Sequence, residues 1–388
     1  MEKHVIELAS SYAKQAQAEE LDLLRKLARI PAPTGHEEKR AAFVRDWLLA
    51  AGADEGAIAV DAAKNVVLTL PGADRGSCAV FSAHTDVVAA DTEELPFTED
   101  EGRMYAPGVG DDTANLCGLL MAAKWLLANK PQLKRDVLIV ANACEEGLGN
   151  LRGTREIMAG LERRGVRAES FTSFDLYLGK HITGAVGSHR WRVRCRCAGG
   201  HSWEDAGAPS AVLAASRVVC GLYALPLPYG AKTSVNAGCV SGGTTVNAIA
   251  TEAEVLLEYR SANQENLEIM RKRFEQMVGD LRSPGVDIET ELIGERPASP
   301  ASEPEGQAEL IAAGDEAIRA LTGTEPVHQE SSTDANVPLS LGVAAHTMGA
   351  VAGALLHTRD EWIDKASLEP GLALTLGHIL DTQVLELS

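Results

Sequence analysis

The chain has 388 residues and a formal charge of −19 at neutral pH, enough length for a large core and two domains. Such acidity offers no basic face for phosphates, which excludes nucleic acid as a partner. No apolar run approaches the roughly eighteen residues of a membrane span, so no membrane partner is expected.

The N-terminal residues lead into a charged helical stretch rather than a signal-peptide core. Seven cysteines without framework spacing fit a reducing compartment, so a cytoplasmic location is expected. The first helix is predicted over about 5–30, with Leu21, Leu24, Leu27 and Ala28 on one face, and it ends at Pro31 and Pro33. Thr34-Gly35-His36-Glu37 has capping-box spacing and predicts a second helix through Leu49, stopped by Gly52. Strands at about 64–70 and 78–83, a helix at 113–128, a strand at 137–143, a helix at 151–164 and a strand at 171–178 follow. This alternation predicts a three-layer α/β domain.

After Gly187 the pattern changes. A strand at about 190–198, a helix at 209–224, strands at 233–240 and 252–260, a helix at 263–281 and a strand at 285–293 give the order β-α-β-β-α-β. That is the order of a ferredoxin-like α+β sandwich. Trp191, Val193, Cys195 and Cys197 alternate with Arg192, Arg194 and Arg196, so the two thiols read as one buried strand face, not metal ligands. Pro297, Pro300 and Pro304 read as a return linker. A helix at about 305–322 and a strand at Val343-Ala344-Ala345 then resume the α/β character. The expected architecture is a catalytic domain in two pieces, 1–187 and 300–388, with a small domain, 188–299, inserted between them. The helix Ser210–Val219 lacks a polar face, so it needs cover on more than one side. A second copy of the chain could supply it, and a homodimer is expected.

The apolar run Val137–Asn142 reads as a strand buried on both faces, and it empties into Glu145-Glu146. Adjacent carboxylates there oppose each other's ionisation, and divalent cations are a natural offset. A second run, Cys78–Ala83, empties into His84-Thr85-Asp86. Asp175, in Ser173-Phe174-Asp175-Leu176, reads as sitting at or just past the end of its predicted strand, Asp111 follows Gly108-Val109-Gly110 at a helix start, and His357 follows Gly353–Leu356. In open α/β sheets the ligand crevice lies outside the carboxyl ends of the strands. Imidazole and carboxylate donors suit zinc, with cobalt and manganese as alternatives. Gly108-Val109-Gly110 is not a dinucleotide loop, because no strand immediately precedes it and two acids follow.

Over nearly its whole length the chain resembles the M20 family of dinuclear zinc peptidases and deacylases, whose members carry an inserted dimerisation, or lid, domain. The resemblance implies two divalent metal ions held by His84, Asp111, Glu146, Asp175 and His357. Asp111 would bridge them, and a cis peptide would join it to Asp112. It implies that Asp86 holds the other imidazole nitrogen of His84 and that Glu145 is the catalytic base. His201, in Gly199-Gly200-His201-Ser202, would reach a neighbouring subunit's site and stabilise an oxyanion. Asn247 and Arg260 would bind substrate, the arginine gripping a carboxylate. The run Asp111-Asp112-Thr113-Ala114-Asn115 departs from the family's usual pattern, as does Asn247-Ala248-Ile249-Ala250, which leaves the subfamily open. The expected activity is hydrolysis of an amide in short peptides. The alternatives are an N-acyl-amino-acid deacylase and, remotely, a catalytically silent binding protein. His181, His189 and His346 receive no role.

Overall fold

The computed structural model describes residues 1–386. The chain forms two compact units, Met1–Gly184 with the segment from Glu303 onward, and Ala185–Ser302.

The first unit is built on an eight-stranded mixed sheet. At its centre, strand Asp74–His84 runs parallel to Arg135–Asn142 on one side and to Arg167–Phe174 on the other, and Arg167–Phe174 runs parallel to Ala344–Met348. Their carboxyl ends therefore share one edge. These strands carry continuous apolar runs because both faces are covered: Val80, Phe81, Val137, Ile139, Val140 and Phe171 are all buried. Antiparallel strands flank them, Val66–Leu70 on one side and Lys180–Ala185 on the other, with Val327–Ser331 last in order beyond Lys180–Ala185.

Helices Lys3–Leu27, Glu38–Ala50, Ala114–Asn129, Arg152–Arg164 and Gln307–Thr322 accompany the sheet. The helix Leu368–Gln383 was not apparent in the sequence. It is buried on nearly every face and packs against Lys3–Leu27, Ala114–Asn129 and Gln307–Thr322, so it has no amphipathic period to read. Its Pro370 sits in the first turn, where no amide donor is needed. Gly371 is required there, since a Cβ would lie 1.7 Å from the Ala350 oxygen. The expected capping box is absent: no side chain caps the helix start at Glu38, the Thr34 hydroxyl donates to Asp86 Oδ2 at 2.9 Å, and Glu37 Oε1 accepts from Gly35 N and Cys144 N. The 171–178 strand is shifted, ending at Phe174, which leaves Asp175 just beyond its carboxyl end.

The second unit is an antiparallel four-stranded sheet, ordered Thr233–Gly242, Glu252–Ser261, Gly187–Cys197, Val286–Arg296. Helices Ala211–Ala224 and Gln264–Leu281 cover one face, burying Trp191, Val193, Cys195, Val255, Tyr259 and Phe274 with them. On the other face Arg190, Arg192, Arg194 and Arg196 pair with Glu258, Glu254, Glu291, Glu252 and Glu289. The helix Ala211–Ala224 turns Ala214, Ala215, Val218 and Leu222 inward and leaves Val212, Leu213 and Tyr223 exposed.

Candidate metal centre

Each candidate donor in the first unit is delivered by a chain segment leaving the common sheet edge or facing it. His84 ends its strand, Asp175 follows the end of Arg167–Phe174, and Glu145 and Glu146 follow Arg135–Asn142 by three and four residues. Asp111 lies in the turn before helix Ala114–Asn129, and its peptide bond to Asp112 is cis. His84 Nε2 is 2.9 Å from Asp111 Oδ1 and 4.0 Å from Asp175 Oδ1. His357 Nε2 is 3.0 Å from Asp111 Oδ2 and 3.1 Å from Glu146 Oε1. Two donor sets result, His84–Asp111–Asp175 and Asp111–Glu146–His357, and the two oxygens of Asp111 divide between them. Glu145 also has a carboxylate oxygen within 4.8 Å of donor atoms of His84 and Glu146.

The role expected for Asp86 is altered. His84 Nδ1 bonds to the main-chain oxygen of Asp86 at 3.0 Å, while its distance to the Asp86 carboxylate is 3.6 Å, too long for a hydrogen bond. The carboxylate instead accepts the main-chain N–H of Glu145 on Oδ1 at 3.0 Å and that of Glu146 on Oδ2 at 2.9 Å. Asp86 thus fixes the backbone of the acid pair.

Residues that motif reading passed over hold the Asp111 turn. Glu361, fully buried, accepts the N–H of Gly108, Gly110 and Asp111 at 3.0, 2.8 and 2.8 Å. Asn115 donates to Asp112 Oδ1 at 2.6 Å, and Asp112 Oδ2 accepts the main-chain N–H of His84 at 2.7 Å. Buried Arg40 donates to the Thr85 oxygen and the Thr113 hydroxyl. Asp112 and Asn115 stand in the run Asp111–Asn115, and Glu361 lies four residues after His357. Its spacing gave no reason to single it out.

Burial governs the electrostatics. It pushes Asp175 up to about 8, with the Asp111 charge adding to it. Burial also raises Asp112. Burial opposes charge on His84, but the carboxylates of Asp112, Asp111 and Asp86 outweigh it and raise its pKa. The Asp111 and Glu146 carboxylates lift His357 to about 11. A buried cluster so rich in carboxylates needs counter-charge. Asp175 Oδ1 is buried without a hydrogen-bond partner, as an oxygen reserved for a cation is. The imidazole and carboxylate donors, with an oxygen orphaned among them, fit two divalent ions.

In the second unit, His201 is exposed, and its Nδ1 accepts from the main-chain N–H of Trp203 and Glu204. A short ladder, Gly200–His201 with Ala248–Ile249, sets it beside Asn247, whose main-chain oxygen accepts from Ser202 N. Arg260 lies on strand Glu252–Ser261 and forks onto Glu258 at 2.7 and 3.1 Å. His201 and Asn247 are therefore neighbours, while the guanidinium of Arg260 already has a carboxylate partner.

The sequence profile of peptidase family M20/M25/M40 matches residues 80–381. The chain belongs to this family. Membership makes it a hydrolytic enzyme of a metal-dependent family. It is similar to an acetylornithine deacetylase from Myxococcus xanthus, 27% identical across 81% of this chain and 83% of the relative. It is also similar to a succinyl-diaminopimelate desuccinylase from Hydrogenovibrio crunogenus, 24% identical across 91% and 96%. Its fold matches that of a tripeptidase from Staphylococcus aureus with a TM-score of 0.74, 20% identity and coverage of 94% of this chain and 97% of that one. Among the described residues no helix is long and apolar enough to cross a membrane.

Proposed function

We propose that this hydrolase cleaves the amide bond of short peptides, using two divalent ions, zinc in the first instance, with cobalt or manganese as substitutes. The observation that carries the reading is the division of the Asp111 carboxylate, Oδ1 toward His84 and Oδ2 toward His357. In this reading His84, Asp111 and Asp175 hold one ion, and Asp111, Glu146 and His357 hold the other. Ions bound there would supply an acidified water and Lewis-acid polarisation of the scissile carbonyl. Glu145 takes the proton of the attacking water and returns it to the leaving nitrogen. Asp86, through the two main-chain N–H groups, keeps Glu145 and Glu146 in register for these separate tasks. Asn247 and Arg260 bind the substrate, Arg260 exchanging Glu258 for a substrate carboxylate.

His201 acts across a homodimer, stabilising the oxyanion in the partner's site. The dimer is supported by exposed Val212, Leu213 and Tyr223 on one helix and by strand Thr233–Gly242 at the edge of its sheet, an edge that invites pairing. Sedimentation gives the mass directly, and a monomer at assay concentration defeats this part of the reading. A cytoplasmic location is supported by the cysteines, all free thiols.

Similarity to an acetylornithine deacetylase favours a second reading, hydrolysis of N-acyl amino acids at the same centre. Di- and tripeptides assayed beside acetylated and succinylated amino acids, each with zinc, cobalt and manganese, separate the two. Turnover confined to acyl amino acids replaces the first reading with the second, and turnover of neither defeats both.

A further inference from the structure

Away from the candidate centre, the first unit gathers a second set of donors at the outer edge of its sheet. His181 lies on strand Lys180–Ala185, His328 on the neighbouring strand Val327–Ser331, and Asp315 on helix Gln307–Thr322. His181 Nδ1 and His328 Nε2 converge on one oxygen, Asp315 Oδ1, each at 2.8 Å. The two imidazole rings stand 5.3 Å apart at 87°, so each presents a ring nitrogen to the same point from a different direction. His181 is fully buried, whereas the His328 side chain is 48% exposed, so the site has a buried floor and an open mouth.

The floor is built as support for a ligand. His181 Nε2 lies 2.8 Å from Nδ1 of buried His346, and His346 Nε2 lies 2.9 Å from the Thr172 hydroxyl. A cation on His181 Nδ1 requires the proton on Nε2. That proton is then donated to His346 Nδ1, His346 carries its own proton on Nε2, and Thr172 Oγ1 accepts it. Every contact in the chain keeps one donor and one acceptor, which is how a ligating histidine is oriented. The helix makes room for this stack at Gly314, next to Asp315. A Cβ there would lie 2.8 Å from His346 Cε1 and 2.9 Å from His181 Cε1.

We propose that His181, Asp315 and His328 form a further transition-metal site of two imidazoles and one carboxylate, with zinc as its natural occupant and its remaining position open to water. Zinc held tetrahedrally at about 2.0–2.1 Å spaces its ligand atoms roughly 3.3 Å apart. The two nitrogen–oxygen gaps therefore open by about half an ångström when the ion enters, half-exposed His328 yielding on one side and rotation of the Asp315 carboxylate opening the gap to buried His181 on the other. The ion clips the outer strand Val327–Ser331 to helix Gln307–Thr322 and strand Lys180–Ala185. It is independent of the amide-hydrolysis reading, because it shares no residue with that centre.

The test uses the full chain, stripped with chelator and dialysed to equilibrium against micromolar free zinc, with zinc and protein then quantified. The parent is expected to hold one zinc equivalent per chain more than either His328→Ala or His328→Gln. The same one-equivalent difference is expected when His84→Ala is added to both members of the comparison, which separates this site from the other centre. An anomalous difference peak at the zinc edge among His181, Asp315 and His328 in a zinc-soaked crystal supports the assignment. Equal zinc content in parent and both His328 variants, or a zinc-soaked crystal with no peak there, overturns it.

Discussion

In the first unit, His84, Asp86, Asp111, Asp112, Glu146 and Asp175 are buried together at the ends of parallel strands. In the second, Arg190, Arg192, Arg194 and Arg196 stand against glutamates on an uncovered sheet face. The protein thus treats charge in two ways. Where that face is open, as at Arg196 with Glu252, water screens the pair, and an exposed ion pair contributes at most about 1 kcal/mol. At the strand ends, burial makes each uncompensated carboxylate costly by several kcal/mol, a cost that main-chain donors, protonation or a bound cation must offset. The contrast separates charges that shape a surface from charges that demand a ligand.

The contrast breaks most visibly at Glu145. Glu145→Gln is expected to retain its metal and lose about two orders of magnitude or more in kcat, checked by metal analysis beside steady-state kinetics. An unimpaired variant removes Glu145 as the base. His84→Ala is expected to lose metal, and elemental analysis showing full occupancy contradicts the donor assignment. Asp86→Asn presents an amide where two main-chain N–H groups need acceptors. A fall in kcat of roughly tenfold to a hundredfold with little change in metal content is expected, and unchanged kcat shows that the Asp86 anchor is dispensable.

Glu20 sharpens the comparison, being a buried carboxylate with no cation in view. It is 1% exposed, its Oε2 has no hydrogen-bond partner, and burial pushes its pKa up to about 8. Because the folded pKa lies above the unfolded one, its contribution to stability is complete below the ordinary carboxylate range. That contribution is lost as pH rises toward about 8. Glu20→Gln is therefore expected to match the parent in acid and to exceed it by roughly 2 kcal/mol or more above the folded pKa, measured by urea unfolding across pH. A constant difference between the two across pH contradicts the buried-acid account. The smallest effect is expected on the open face. Arg194→Met, which removes pairing with Glu254 and Glu291, should change stability by less than about 1 kcal/mol, and salt should shrink the difference further.

The sequence by itself determined the fold class. Strands such as Val137–Asn142 carry unbroken apolar runs because both faces are covered, and Trp191–Cys197 alternates because one face is open. Those periods are local and survive in one dimension. The acids and imidazoles that close those runs were legible for the same reason. Only the tertiary structure decided how they are held. Glu361 cradles the amide of Asp111 from 250 residues away, and Asp86 was legible as part of the site but not as the anchor of the Glu145 and Glu146 backbones. Helix Leu368–Gln383 escaped because burial on all sides erases its period, and the meeting of His181, Asp315 and His328 escaped because three separate elements supply it. A main-chain donor has no residue letter, and a contact between distant segments has no spacing, so neither is written until the chain packs.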